Sequence, residues 1–399
     1  MRVAHLITRM IIGGAQENTL YNCEDLIRLF GDDVLLVTGP AIGPEGDLLQ
    51  QGRGGDVPTH LVPSLRRAID PRRDATSYFA LKRILREFRP DVVHTHSAKA
   101  GFLGRLAAAS LGVRAVIHTV HGAPFHPHQN AGSRALFRWC EWYAARHCHA
   151  LISVADAMTD LMVKAGVAPR EKFTTIYSGM DVEPFLHADE HRQSIRAHLG
   201  YEPQHVVIGK IARLFHLKGH EDVIQAAVEV VKVNPNVQYL FIGDGILRDK
   251  LQMQIDAAGM TQHFHFAGLV PPSEIPEYVG AMDILVHASL REGLARALPQ
   301  ALIAGKPVVS YDIDGAREVA ITGETGFLVP PRWRELVGPL IRLAADSELR
   351  TRLGCTGRSR FTQQFGHEFM TKRIRELYER VLNLPLALTT GLDVATDCA

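Results

Sequence analysis

The chain has 399 residues, 46% of them apolar and 22% charged, which suits a globular protein of about two ordinary domains. Its formal net charge of +1 gives no electrostatic reason to expect nucleic-acid binding. The sequence shows no apolar run near the ~20 residues of a membrane-spanning helix, no signal-peptide pattern, and an odd number of cysteines without a C-x-x-C pair. These features predict a cytoplasmic enzyme in a reducing compartment.

Short apolar runs alternate with helical patterns along the chain. Near-continuous apolar runs of this kind are typical of parallel strands that helices cover on both faces. We therefore predict an α/β fold with two Rossmann-like parallel-sheet domains facing a cleft. The predicted strands are residues 3–8, 34–38, 60–62, 91–96, 115–120, 150–154 and 173–177, followed by 206–212, 239–243, 263–266, 284–288, 308–311 and 326–329.

A polar segment at residues 184–199 is predicted to be the hinge between the two domains. The first domain then covers residues 1–183 and the second covers residues 200–365, with a tail at 384–399. Residues 367–383 have the apolar spacing of an amphipathic helix. We expect this helix to cross back to the first domain; the alternative is that it closes the second.

Three loops that follow predicted strands have residues suited to phosphate. Gly13 and Gly14 allow a backbone to approach a ligand and to take positive φ, although a plain tight turn has the same residues. Arg213 and Lys218 suit a diphosphate, the alternative being two solvated charges. Gly243 begins a Gly-Asp-Gly turn that lacks the third glycine of a dinucleotide fingerprint, so we do not expect an NAD site.

Glu292 lies between the predicted strand 284–288 and a short helical pattern. Ligands of open α/β sheets bind at the carboxyl ends of the strands. The carboxylate can accept hydrogen bonds from hydroxyl groups, and the free amides at the start of the helix can hold an anion. This position predicts a ligand that contains both sugar and phosphate.

Histidines are concentrated at the end of one strand of the first half and just after the next, at His94 and His96 and then at His121, His126 and His128. A metal site is one interpretation, but no Asp, Glu or Cys near them in the sequence completes a ligand set. We therefore expect no metal and interpret most of them as core or loop residues. His121, at a strand end, is the best candidate for a polar ligand contact.

Two basic segments suggest contact with an anionic membrane surface. Residues 133–146 interleave aromatic residues with arginines, and residues 65–73 form a basic loop. A partly buried helix and a solvated loop would have the same composition. We keep peripheral contact with the inner face of the cytoplasmic membrane as a prediction.

The order of these motifs resembles the family 4 glycosyltransferases of the GT-B fold, from residue 1 to about residue 382. The stretches 91–105, 119–122 and 178–181 are similar to the bacterial branch that builds cell-envelope glycans. The resemblance implies a retaining transferase that needs no metal ion or other cofactor. It would move a sugar from a nucleotide diphosphate, expected to be UDP, to a glycan or lipid-linked acceptor, and a donor phosphate oxygen would take the acceptor's proton.

The resemblance also implies a role for each site residue. Most of the donor would lie on the second domain. The phosphates of the donor would be bound by Arg213 and Lys218, by Gly13 and Gly14, and by amides around Gly293, Leu294 and Arg296. Glu292 would bind hydroxyls of the donor sugar, and His121 would reach the transferred sugar. Val270 would contact the base, and Gly243 would lie in a turn facing the cleft.

Gln300 is a departure from the family pattern, which has a second glutamate eight residues after the first, bound to the ribose hydroxyls. A carboxamide can still hydrogen-bond a ribose. It loses charge assistance, a difference of about 1 kcal/mol. Two alternative functions remain: a non-hydrolysing UDP-sugar 2-epimerase, which shares the two-domain architecture, and a catalytically silent partner that binds a sugar nucleotide.

Overall fold

The computed structural model describes residues 1–43, 46–51, 55–127 and 129–383. Its described residues form two compact units, one of residues 1–180 and 364–383 and one of residues 181–363. His128 and the predicted tail at 384–399 lie outside the described residues.

The first unit contains a seven-stranded parallel sheet in the order β3-β2-β1-β4-β5-β6-β7. Four of the five inner strands, β1, β4, β5 and β6, are almost entirely buried, as expected for a sheet with helices on both faces. The strands are β1 (Arg2–Ile7), β2 (Asp33–Thr38), β3 (Thr59–Leu61), β4 (Val92–His96), β5 (Ala115–Val120), β6 (Ala150–Ser153) and β7 (Phe173–Thr175). The helices are α1 (Gly14–Phe30), α2 (Pro71–Phe88), α3 (Ala98–Ser110), α4 (Ala131–Ala145) and α5 (Asp156–Lys164).

The second unit contains a six-stranded parallel sheet in the order β10-β9-β8-β11-β12-β13. Its strands are β8 (Val206–Ile211), β9 (Val237–Ile242), β10 (Phe264–Gly268), β11 (Ile284–His287), β12 (Val308–Tyr311) and β13 (Gly326–Val329). Its helices are α6 (Glu183–Leu186), α7 (Arg192–His198), α8 (His220–Val233), α9 (Arg248–Ala257), α10 (Ile275–Ala281), α11 (Ala297–Ile303), α12 (Trp333–Ala345) and α13 (Ser347–Phe361). All thirteen predicted strands are present within two residues of their predicted ends, which confirms the two Rossmann-like sheets.

Side chains at the starts of several helices explain where those helices begin. Asp70 accepts hydrogen bonds from the amides of Arg72 and Arg73, and Pro71 occupies the first position of α2, where no backbone donor is needed. Asp346 caps α13 in the same way through the amide of Leu349. Each cap satisfies amides that the helix itself leaves without partners.

The closing helix α14 (His367–Leu382) packs along α1 in the first unit. Asp25 of α1 accepts hydrogen bonds from His367 Nδ1 at 2.7 Å and from Thr371 Oγ1 at 3.1 Å. Arg375 Nε donates to Asp32 Oδ2 at 2.8 Å. The expectation that this helix crosses back to the first domain is therefore confirmed, and the alternative that it closes the second is wrong.

The segment predicted as a hinge, residues 184–199, is mostly helical in the structure. It contains α6 and α7, which pack against α10 within the second unit. Arg192 Nη2 donates to Asp283 Oδ1 at 2.6 Å and so attaches α7 to the residue before β11. The chain passes from one unit to the other at residues 180 and 181, before this segment.

Hydropathy along the helices bears on membrane topology. Across the described part of the chain, no helix combines the length and the apolar character that crossing a bilayer requires.

Candidate active site

Lys218 and Glu292 form an ion pair at the carboxyl edge of the second sheet. Lys218 lies in the loop between β8 and α8, and Glu292 lies in the loop after the neighbouring strand β11. The distance from Lys218 Nζ to Glu292 Oε1 is 2.5 Å, and about a fifth to a quarter of each side chain is exposed. The pair thus places an ammonium and a carboxylate where ligands of open α/β sheets bind.

Backbone geometry brings the two loops together. Leu217 and Gly219 have φ values of +66° and +67°, in the left-handed region. A Cβ on Gly219 would lie 1.9 Å from the carbonyl oxygen of Ala288, so only glycine fits at this position. The amide of Leu290 donates to the carbonyl oxygen of Leu217 at 2.8 Å. These contacts fix the approach of Lys218 to Glu292.

A third loop, after β12, supports Glu292 from its backbone side. Asp314 Oδ2 accepts a hydrogen bond from the amide of Glu292 at 2.8 Å, and the amide of Gly315 donates to the carbonyl oxygen of Gly293 at 3.0 Å. Burial raises the pKa of Asp314, while the bond from the Glu292 amide opposes that change. Sequence reasoning missed Asp314, because nothing in its local sequence indicates this contact.

Buried polar side chains lie close to the ion pair. Lys210 Nζ, Ser289 Oγ and both ring nitrogens of His220 and of His287 have no hydrogen-bond partner among the described residues. His287 Nε2 is 3.8 Å from Glu292 Oε1. Burial, reinforced by the charge of Lys218, lowers the pKa of Lys210 to about 7. Burial also lowers the pKa of His287 well below its usual value, so this ring is neutral.

Of these four groups, His287 is the one with a short distance to Glu292. Sequence reasoning missed all four, and only Lys210 left a signal, as a charged residue inside an apolar predicted strand. Buried polar groups without protein partners are costly unless water or a ligand satisfies them.

The other residues predicted for the diphosphate and the base lie on neighbouring loops of the same sheet. Arg213 is exposed after β8, with its Cζ 5.0 Å from the centre of the Phe215 ring. Gly243 has φ +128°, and its amide donates to the carbonyl oxygen of Gly268 at 2.8 Å. Val270 is buried two residues after β10. The sheet order therefore gathers these residues at the carboxyl edge that holds the ion pair.

The start of α11 contains the remaining predicted donor contacts. Gly293 and Leu294 lie in the loop before the helix, and Arg296 immediately precedes its first residue. Gln300 is half-buried in the helix, and its amide donates to the carbonyl oxygen of Arg296 at 3.1 Å. Gln300 thus lies in a helix that begins five residues after Glu292.

In the first unit, Gly13 and Gly14 stand at the start of α1. The carbonyl oxygen of Gly13 accepts from the amides of Gln16 and Glu17. The φ of Gly13 is 173°, an extended conformation that any residue adopts. Gly13 therefore does not use the left-handed conformation that glycine allows, and a close backbone approach to a ligand at this helix start stays a prediction.

Four histidines of the first unit, His5, His94, His96 and His121, form one cluster. His5 Nδ1 lies 3.0 Å from His96 Nε2, and His96 Nδ1 lies 3.1 Å from Nε2 of the half-buried His121. His94 is bonded to Tyr378 Oη at 2.5 Å and to Thr119 Oγ1 at 2.7 Å. His94 and His96 are core residues, as predicted.

A third histidine, overlooked in the sequence, changes the argument about a metal. One nitrogen from each of His5, His94 and His96 lies within 4.8 Å of the others, so the three rings stand close enough to hold an ion together. Their nitrogens are largely used in hydrogen bonds with one another and with Tyr378 and Thr119. Metal independence stays a prediction.

Helix α4 has an exposed surface that combines apolar and cationic residues. Leu136 and Trp139 are 50% and 53% exposed, and Arg134 and Arg138 are exposed beside them. A groove of about 600 Å³ lies here, lined by these arginines, Trp139 and Trp142. Only Glu141, Ala144 and Ala145 of α4 are buried. The helix is therefore anchored at its C-terminal end and open to solvent along its first half.

Comparison with known proteins agrees with this arrangement. Residues 191–360 match the family model "Glycosyl transferases group 1", and residues 12–184 match "Glycosyltransferase Family 4". The chain is 27% identical to UDP-Gal:alpha-D-GlcNAc-diphosphoundecaprenol alpha-1,3-galactosyltransferase of Escherichia coli, over 95% of this chain and 96% of that protein. It is 23% identical to the capsular polysaccharide biosynthesis glycosyltransferase CapM of Staphylococcus aureus, over 81% and 85% of the two chains.

A solved structure has the same fold. Anabaena HepE, crystallised in complex with UDP, superimposes with a TM-score of 0.79 at 23% identity. The match covers 95% of this chain and all of that one.

Proposed function

Because the chain belongs to the family 4 glycosyltransferases and has the GT-B fold, we propose that it is a retaining enzyme that uses a UDP-sugar. Its acceptor would be a lipid-linked glycan of the cell envelope. The observation that carries the proposal is the Lys218–Glu292 pair at the carboxyl edge of the second sheet. An ammonium and a carboxylate in contact there provide one group for a diphosphate and one for sugar hydroxyls.

When the donor binds, Lys218 and Glu292 separate and each takes a new partner. The diphosphate takes Lys218 as its counter-ion, together with the guanidinium of Arg213. Glu292 then accepts hydrogen bonds from hydroxyls of the donor sugar, while Asp314 continues to hold its backbone. Cations fixed in advance beside the leaving group stabilise the charge that develops on it.

The proposed transfer needs no protein nucleophile. The bond between the anomeric carbon and the diphosphate oxygen breaks, and the acceptor oxygen bonds to the anomeric carbon on the same face. The acceptor's proton moves to a phosphate oxygen of the departing UDP. The anomeric configuration is therefore retained. Residues of the chain hold and neutralise the diphosphate, and His121 is proposed to contact the transferred sugar.

Two comparisons support UDP as the nucleotide. The E. coli relative is named for UDP-galactose, and HepE was crystallised with UDP. We propose that Val270 contacts the base and that the carboxamide of Gln300 bonds the ribose. Amides around Gly293, Leu294 and Arg296 are proposed to contact the phosphates.

The acceptor proposal rests on the surface of α4. The E. coli relative is named for an acceptor with a diphosphoundecaprenol carrier. Such a carrier has an anionic diphosphate and a long apolar chain. Arg134 and Arg138 suit the diphosphate, and the groove beside Trp139 suits the start of the apolar chain. We propose that this face rests on the inner surface of the cytoplasmic membrane.

A transfer assay tests the proposal. The purified protein is incubated with a panel of UDP-sugars and with N-acetylglucosamine linked to diphosphoundecaprenol, and both released UDP and extended lipid are measured. We expect one donor to give stoichiometric amounts of both products. Tight UDP-sugar binding without product from any donor, on this acceptor or on a pool of extracted lipid-linked glycans, would overturn it.

A further inference from the structure

Three histidines of the first unit form a continuous hydrogen-bonded chain from its core to a strand end. His5 lies on β1 and His96 on the neighbouring β4, and both are almost fully buried. His121 follows β5 and is half-buried. The links are His5 Nδ1 to His96 Nε2 at 3.0 Å and His96 Nδ1 to His121 Nε2 at 3.1 Å.

The inner end of this chain determines the direction of its hydrogen bonds. His5 Nε2 is buried and has no hydrogen-bond partner among the described residues. A buried N–H group without an acceptor is rarer in proteins than a buried acceptor without a donor. The neutral ring of His5 therefore has its proton on Nδ1, which donates to His96 Nε2. Burial supports the neutral state by lowering the pKa of His5 to about 3.

The direction of the first hydrogen bond then determines the direction of the second. Because His96 Nε2 accepts, the proton of this neutral ring is on Nδ1, which donates to His121 Nε2. His94 does not compete for these positions, since Tyr378 and Thr119 engage its two nitrogens. The direction of both bonds thus follows from the surroundings of one atom, His5 Nε2.

We propose that His5 and His96 are positioning residues that fix His121 as the tautomer with its proton on Nδ1. The Nδ1 of His121 is then a hydrogen-bond donor and not a base. If the function proposed above is right, on which this consequence rests, the ligand atom is a hydroxyl oxygen of the transferred sugar. Removal of the acceptor's proton is left to the departing diphosphate.

The chain also opposes protonation of His121. A second proton on His121 Nε2 would displace the bond from His96 Nδ1. Relief of that conflict would require the protons of His96 and His5 to move to their other nitrogens, leaving an N–H on His5 Nε2 for which the described residues offer no acceptor. A neutral donor is therefore the state that the surroundings favour.

The tautomers can be observed directly by NMR. The full-length protein is labelled with ¹⁵N-histidine, and long-range ¹H–¹⁵N spectra distinguish protonated from bare ring nitrogens. His121 is assigned from the His121→Gln spectrum. We expect a protonated Nδ1 and a bare Nε2 in the native protein. A native protein with the proton of His121 on Nε2 would overturn the proposal without any variant.

Two variants at His96 separate positioning from packing. His96→Gln keeps an acceptor oxygen for His5 and an N–H for His121, so His121 retains its tautomer. His96→Leu removes both and gives a mixture of tautomers. In the transfer assay, His96→Leu loses about tenfold in kcat/KM, the effect of one hydrogen bond, while UDP affinity is unchanged. A single unchanged His121 tautomer in folded His96→Leu would contradict the proposal.

The NMR readout does not depend on activity. If no UDP-sugar is turned over but the native tautomer is as expected, the positioning role stands and the proposed function fails. If transfer occurs and the tautomer is reversed, the function stands and the positioning role fails.

Discussion

Lys218 and Glu292, 74 residues apart in sequence, form an ion pair with Nζ 2.5 Å from Oε1. The sequence predicted different partners for them, the diphosphate for Lys218 and the donor sugar for Glu292. The pair holds each group at the edge of the sheet before either meets those partners. Both side chains are partly exposed, so a donor that supplies a diphosphate for Lys218 and hydroxyls for Glu292 can take the place of the pair.

Substitutions of the ion pair should affect transfer far more than folding. We expect Lys218→Ala and Glu292→Ala each to lower kcat/KM by about 100-fold or more, because each removes a charged contact that strengthens in the transition state. The double variant should lose less than the product of the two effects, since the groups act on one ligand. Steady-state kinetics with the preferred UDP-sugar give these values.

Lys232→Ala provides the matched control for the ion-pair variants. Lys232 is an exposed lysine of the same unit that pairs with Glu229 on α8. Its variant should keep full activity. Native activity in a folded Lys218→Ala or Glu292→Ala protein would remove both residues from the proposed site.

Gln300→Glu should strengthen UDP binding. A carboxylate at this position restores charge-assisted hydrogen bonds to the ribose, a gain of about 1 kcal/mol or roughly fivefold in Kd. Isothermal titration with UDP measures the change, and Gln300→Ala should weaken binding in the same experiment. With 2′-deoxy-UDP the gain should shrink. Equal or weaker UDP binding by Gln300→Glu would show that this helix position does not face the ribose.

Lys210 should make stability depend on pH above neutrality. Burial lowers the pKa of its ammonium to about 7, whereas the unfolded chain holds that proton up to its usual pKa of 10.5. The unfolded state therefore binds more protons between pH 7 and 10.5, and the free energy of unfolding rises with pH in this window. Lys210→Met should lack that rise and be more stable than the native protein at pH 7 by roughly a few kcal/mol.

Urea unfolding at pH 7, 8.5 and 10 measures the effect, and Lys232→Met serves as the exposed control. The difference in unfolding free energy between the native protein and Lys210→Met should shrink as pH rises. A constant difference across this range would mean that Lys210 keeps its charge in the folded state through contacts other than those described.

The α4 surface should control membrane binding. Replacing Arg134 and Arg138 by Gln should lower partition onto anionic liposomes by roughly tenfold, because each arginine near an anionic surface contributes favourable electrostatic energy. Trp139→Ser should lower it further by removing an interfacial aromatic ring. Sedimentation with phosphatidylglycerol vesicles gives the bound fraction.

Phe79→Ser is the matched control for Trp139→Ser, since Phe79 is 67% exposed on α2 of the same unit. It should bind vesicles like the native protein. If the native protein does not sediment with anionic vesicles at low salt, the proposed membrane contact is wrong, and the transferase proposal is unaffected.

The fold could be predicted because parallel strands buried on both faces leave near-continuous apolar runs, and each of the thirteen runs became a strand. Only some residues of the candidate site could be predicted from the sequence. Glu292 and Lys218 could be located from their loops, but Asp314 reaches Glu292 only through the register of β12. His5 and Lys210 lie within strands. The apolar residues around them predict the strand but indicate no role for the polar residue inside it. Their roles arise from neighbours distant in sequence.

The anomeric configuration of the product tests the central claim most directly. The enzyme is incubated with its preferred α-linked UDP-sugar and a lipid-linked acceptor, and the new linkage is identified by NMR of the isolated product. The account predicts an α-linked product that Glu292→Ala does not form. A β-linked product, or α-linked product formed at the native rate by Glu292→Ala, would contradict it.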